Sequence, residues 1–163
     1  MTDPTNHSPM TQPEILKGAL LSGVINAVIN GGIQAWLLSG SGPLPLTVDA
    51  ITNEAHTVFG AAVPLGVSLA MILTVVAYTT VKGPKPPFYP TFLWMTVKNG
   101  FFVLGVIVTF AVLWQRIVGS VTVPFWLGIV LLGLIAGVIS AVVNYMTIRA
   151  CAPKALQEAP GIR

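Results

Sequence analysis

Charge is nearly absent from four long apolar runs, and no other feature constrains this chain as tightly. The runs cover about residues 15–39, 57–81, 92–114 and 124–148, and Lys17 and Lys98 are the only charged residues in them. At about 1.5 Å rise per residue, each run crosses the ~30 Å hydrocarbon core of a bilayer as a helix. A helix is also what lipid demands, because no water is present there to satisfy peptide N–H and C=O groups. Charged residues make up 8% of the chain, against about 25% in a soluble domain, so this surface cannot be dressed for water. The expected fold is an all-α integral membrane protein of four transmembrane helices, two parallel-repeat helical hairpins packed as a bundle.

The first run is written in rows four residues apart, and such rows share one helix face. Ala19, Gly23, Ala27, Gly31, Ala35 and Ser39 form a row with almost no side chain. Beside it runs Ser22, Asn26, Asn30 and Gln34, a hydroxyl and three amides. The other rows, such as Leu21, Ile25, Ile29, Ile33 and Leu37, are hydrocarbon. Span 4 repeats the smooth row with Gly133, Gly137 and Ala141, next to Ser140 and Asn144. Span 2 adds Gly66, Ala70 and Thr74. Lipid gives helices no hydrophobic reason to associate, so backbone approach across small residues must hold them together. Spans 1 and 4 are therefore expected to turn these faces to the protein interior or to a neighbouring subunit. Span 3, with Phe102, Val106, Phe110 and Trp114 on one row, has the look of a lipid-facing helix.

Between the spans the pattern changes. Residues 1–13 are polar and proline-bearing and read as a disordered cytoplasmic tail; residues 14–150 form the membrane domain, and 151–163 a second cytoplasmic tail. The first run is too long for the apolar core of a signal peptide and lacks a clean cleavage site, so it counts as a span. Glycines and prolines in residues 40–45 end it. From Thr47, Val48, Ile51, Ala55 and Val58 oppose Asp49, Asn53 and His56, an amphipathic lead-in near the outer surface. Pro64 removes a backbone donor and predicts a bend near Gly60. Residues 82–90 hold four prolines and read as a stiff, extended connector. Residues 115–122 read as a tight turn, and Pro124 suits the first turn of span 4.

By alternation, Lys17, Lys82, Lys85, Arg149, Lys154 and Arg163 fall on one side, with Lys98 near that edge and Arg116 alone opposite. The positive-inside rule then puts both termini in the cytoplasm, with a bacterial inner or plasma membrane as the expected location. Trp36, Trp114 and Trp126 at the outer border, and Tyr78, Trp94 and Tyr145 at the inner one, fit the aromatic belts. Residues 65–82 (LGVSLAMILTVVAYTTVK) and 132–149 (LGLIAGVISAVVNYMTIR) align without a gap, and residues 16–25 echo 97–107 more faintly. A duplicated hairpin accounts for both. It also pairs Lys98 with Lys17 at the cytoplasmic border, where a lysine snorkels to the headgroups. The alternative is an intramembrane cation at Lys98, costing roughly 3 kcal/mol at mid-depth.

The row of Asn26, Asn30 and Gln34, with Ser140 and Asn144, has two readings. One is glue, interhelical hydrogen bonds worth about 0.6 kcal/mol each. The other is a polar lane along which a small uncharged or weakly anionic solute binds or passes. Gly23, Ala27, Gly31, Gly133 and Gly137 are the expected helix-packing positions. The reading for function is a permease- or channel-like protein, with a non-transporting subunit that scaffolds or regulates a larger complex as the alternative. Expected partners are the lipid bilayer, further copies of this chain as a homodimer or ring, and another membrane protein under the alternative.

Several classes are disfavoured. The spans contain no serine–histidine pair and no carboxylate pair, so no enzyme is expected. With no Asp or Glu inside a span, carboxylate-based proton or sodium coupling lacks a carrier. One cysteine, Cys151, excludes an internal disulfide and a cysteine-rich metal site, and is expected to be an inert border thiol rather than a palmitoylation site. Asp49, Asn53, Glu54 and His56 hold one histidine among scattered carboxylates and read as a solvated face. No cofactor is expected, no Walker motif occurs, and a formal charge of +3, scattered, gives no footprint for nucleic acid.

Overall fold

The computed structural model describes residues 11–48, 57–81 and 86–151. Four helices are long and apolar enough to cross a membrane: α1 (Gln12–Leu37), α2 (Val58–Thr80), α3 (Leu93–Ile117) and α4 (Phe125–Cys151). Two short strands, β1 (Leu44–Leu46) and β2 (Val121–Val123), lie in the connections.

Local chemistry sets the helix ends. The Glu14 carboxylate accepts the Thr11 N–H at 2.7 Å and the Thr11 hydroxyl at 3.0 Å, closing the first turn of α1. At its other end the Leu38 N–H donates to the Gln34 carbonyl at 2.9 Å, and Gly40 turns the chain away at φ +89°. Thr57 caps α2 by accepting the Gly60 N–H at 3.0 Å. The expected bend near Gly60 does not break the helix, since α2 is continuous through Pro64. The Ser68 hydroxyl donates to the Pro64 carbonyl at 2.7 Å.

The start of span 3 is not simply extended. Residues 82–85 of the expected connector lie outside the described residues. After them Phe88–Phe92 forms a wide turn with Tyr89 in a non-helical conformation. Rings hold it: Tyr78 stacks on Phe92 with centroids 3.9 Å apart, and the Tyr78 hydroxyl donates to the Pro86 carbonyl at 2.8 Å.

The four helices form a row rather than consecutive pairs. α1 packs on α4, α4 also packs on α2, and α2 packs on α3. Helices joined by a loop are thus not the main partners in α1 with α2 or α3 with α4. The small residues explain the choice. α4 is the helix with a glycine row for α1 and a second buried face, including Leu132, Ala136 and Ser140, each 0% exposed.

The α1–α2 and α3–α4 connections correct two sequence expectations. Residues 115–122 are not a tight turn: α3 runs on to Ile117, and β2 follows. Thr47 and Val48 are not helical, because β1 ends immediately before them; the rest of the amphipathic lead-in lies outside the described residues. β1 and β2 pair antiparallel, Leu44 opposite Val123 and Leu46 opposite Val121. Leu44, 1% exposed, packs so closely on Gly128 that a Cβ there would come 2.6 Å from its Cδ1. Three-residue strands show too little alternation to be read from a sequence.

Candidate functional site

The small-residue rows of α1 and α4 meet as an antiparallel seam. A Cβ on Gly23 would lie 2.8 Å from the Gly137 carbonyl oxygen and 3.0 Å from the Ala141 Cβ. One on Gly133 would lie 2.9 Å from the Ala27 oxygen, and one on Gly137 3.0 Å from the Gly23 oxygen. Gly31 sits at the end of the same seam nearer the strands, where a Cβ would be 3.7 Å from the Gly133 Cα. Backbone therefore touches backbone, the arrangement in which Cα–H groups face carbonyl oxygens. The Tyr145 hydroxyl donates to Gln12 at 3.4 Å where the start of α1 meets the last turns of α4.

The amide row borders this seam. Asn26, Asn30 and Ser22 each precede a seam residue by one position. In an antiparallel pair the preceding residue points to the same side on both helices, by the two-fold symmetry of such a pair. Asn26, Asn30 and Ser140 therefore share one side, the side on which α2 covers α4. Because α1 and α2 flank α4 without packing on each other, the row borders the angle between them.

The hydrogen bonding is a ladder within α1. The Asn26 amide donates to the Ser22 carbonyl at 2.9 Å, and the Asn30 amide to the Asn26 carbonyl at 3.0 Å. Both side chains are half-buried. Gln34 is 8% exposed, and Asn144 is half-buried near the end of the seam away from the strands. Ser140 is 0% exposed, and its hydroxyl has no hydrogen-bond partner among the described residues.

A second polar cluster escaped the sequence reading. The Asn99 amide donates to the Thr74 hydroxyl at 2.9 Å and to the Thr147 hydroxyl at 3.4 Å, joining α3 to α2 and α4. Thr74 in turn donates to the Ala70 carbonyl at 2.7 Å. All three residues are at most 5% exposed. Each helix supplies one member, so no row betrays the cluster. The available signal was one polar residue on each of three apolar helices, Thr74 closing the small row of span 2, each about the same distance from the end away from the strands.

Lys98 lies on the exposed face of α3, beside Asn99 but outside the core. Cys151 is 2% exposed, which shields its thiol. The cluster of Asp49, Asn53, Glu54 and His56 lies outside the described residues. Among the described residues no group of His, Cys, Asp and Glu could hold a metal ion. Phe102, Val106 and Phe110 are exposed, as the row on span 3 predicts, whereas Trp114 is half-buried against Phe59.

Between α3 and α4 lie two cavities, of about 380 Å³ and 170 Å³. Their walls are hydrocarbon and aromatic, and neither is lined by the amide row. Set against protein-family models, curated proteins and solved structures, the chain matches none of them.

Proposed function

We propose that this is a small permease- or channel-like membrane protein, acting as an oligomer, that binds or passes a small uncharged or weakly anionic solute along α1. The observation that carries this reading is the half-open ladder of Ser22, Asn26 and Asn30, on the same side of the seam as the unpartnered Ser140 hydroxyl. A buried hydroxyl without a partner costs about 1–3 kcal/mol, an expense expected where a ligand or water completes the bonding. The row offers amide oxygens and no titratable group, which suits a neutral solute. Orientation follows the lysines and arginines: both termini lie in the cytoplasm, and the membrane is a bacterial inner or plasma membrane. The hairpin duplication would relate the two halves about an axis along the membrane normal.

Single cysteines at Asn26 and Asn30, with Cys151 replaced by serine, test the reading. In intact membranes a water-soluble thiol reagent should modify both, and solute should protect them. Absence of any modification overturns the passage.

A second reading has its own support. The amide N–H groups close on their own helix, and most of α1 is uncovered in one copy, with Val28 72% and Trp36 76% exposed. Such a helix suits a non-transporting subunit that docks α1 on another membrane protein. Gentle extraction followed by mass measurement separates the two: a stoichiometric foreign chain favours the subunit, a pure homo-oligomer the permease.

A further inference from the structure

We propose that Lys98 and Arg149 together bind the phosphate of one anionic phospholipid, at the membrane border away from the strands. Both side chains are exposed. Phe102 and Val142 line one cavity from opposite walls, α3 and α4. Lys98 lies four residues before Phe102, and Arg149 seven after Val142. Both separations keep a residue on the same helix face. The two helices run antiparallel, so both steps lead toward the same end. There the Asn99 amide donates to the Thr147 hydroxyl at 3.4 Å and holds the helices together. Lys98 adjoins Asn99, and Arg149 is two residues past Thr147. The two cations therefore flank one helix junction on its lipid-facing side. The site is formed without α1 and is independent of any solute path there.

Charge decides the occupant. Neither cation has an ion pair among the described residues, where the only acid, Glu14, caps α1 through Thr11. Sixteen helical residues, about 24 Å, separate Lys98 from Trp114. With that indole at one border of a ~30 Å core, the Lys98 backbone lies about 6 Å inside the other. A bare ammonium is costly at that depth, so the side chain extends toward the headgroups. Trp94 stands on the same face one turn nearer the border, 69% exposed, and offers its indole N–H as a further donor. Phe101 and Phe102, also exposed, surround the site with hydrocarbon, which suits a lipid rather than dissolved phosphate. Basic positions between membrane helices bind phosphate-bearing headgroups in this way.

The test titrates the purified full-length protein, in an uncharged detergent, with phosphatidylglycerol, phosphatidylcholine or inorganic phosphate. Native mass spectrometry counts the molecules retained. One phosphatidylglycerol should be held at least about fivefold more tightly than phosphatidylcholine. Lys98→Gln and Arg149→Gln should each weaken it about fivefold, the effect of one cation beside an anionic headgroup. Lys17→Gln, at the same border on α1, should change it less than about twofold. Lys98→Arg should keep both the lipid and the wild-type SDS unfolding midpoint, which separates lost charge from lost fold. Equal retention of the two lipids, or equal losses in Lys17→Gln and Lys98→Gln, overturns the proposal. So does release of the lipid by millimolar phosphate, which would mark a site for a dissolved anion.

Discussion

Adding one methyl group at Gly23 should loosen this protein, and adding one at Gly31 should not. The two glycines lie on the same row of the same helix, two turns apart. At Gly23 the new Cβ would lie 2.8 Å from the Gly137 oxygen and 3.0 Å from the Ala141 Cβ; at Gly31 its nearest neighbour is the Gly133 Cα at 3.7 Å. The first site is well inside contact distance with backbone, which cannot rotate away, so the helices must move apart by some tenths of an ångström. A gap of that kind forfeits about a quarter or more of each van der Waals contact along the seam. Overpacking of this sort costs about 1–3 kcal/mol.

In water, Gly→Ala would recover up to about 1 kcal/mol of helix propensity. In a bilayer the separated helices remain helical, so that gain largely cancels. Gly23→Ala, Gly133→Ala and Gly137→Ala should therefore each lose about 1–3 kcal/mol. Gly31→Ala, and Gly105→Ala with nothing within 4 Å, should stay near zero. Reversible unfolding by SDS in mixed micelles, followed by tryptophan fluorescence, measures the difference. If the Gly23 and Gly31 variants unfold at the same SDS fraction, the backbone-contact seam is wrong.

Other substitutions separate the remaining contacts. Asn99→Ala should lose about 1–2 kcal/mol in the same assay, because it removes the bonds joining three helices, whereas Thr109→Val on the exposed face of α3 should change little. Asn26→Ala and Asn30→Ala should each cost less than about 0.5 kcal/mol of single-chain stability, since their donors close on α1 itself, yet should impair solute protection or oligomer formation. Pro45→Cys with Thr122→Cys, in a Cys151→Ser background, should oxidise to an intrachain disulfide, because the two residues face each other in the β1–β2 pair. Free thiols under mild oxidation, read by mass, would count against the sheet.

Much of the framework is legible from side-chain size and charge. Helix ends fall within three residues of the apolar runs, because a span must fill the hydrocarbon and little else limits it. The rows of Gly23, Ala27 and Gly31 and of Gly133 and Gly137 stand out because four-residue spacing is visible in one helix at a time. What requires two elements at once stays hidden. Asn99, Thr74 and Thr147 are single residues on three helices, and nothing in a sequence says which lone polar groups meet. Likewise Leu44 and Val123 pair across two loops whose three-residue strands carry no periodic signal. The same limit applies to the amide row, visible as a row, but silent about bonding back onto its own helix.

The helix order explains why a sheet lies at one end of the bundle. α4 stands between α1 and α2, so the connection that leaves α1 has to pass α4 before entering α2. The connection between α3 and α4 likewise joins helices held apart by a groove. Neither loop can be a minimal turn, and each carries backbone groups that need partners near the edge of the hydrocarbon. Pairing β1 with β2 satisfies part of each loop at once, and Leu44 then fills the space over Gly128. The Gln115 amide donates to the Ser120 hydroxyl at 2.9 Å, and Ser120 to Thr47 at 3.2 Å, fixing the end of α3 to the same sheet. At the opposite end the Asn99 cluster performs the corresponding task. α3 is thus tied to α4 at one end through Thr147 and to the sheet at the other, and left apart from α4 in the middle, which is why a groove persists beside a seam that at Gly23, Gly133 and Gly137 excludes even a methyl group.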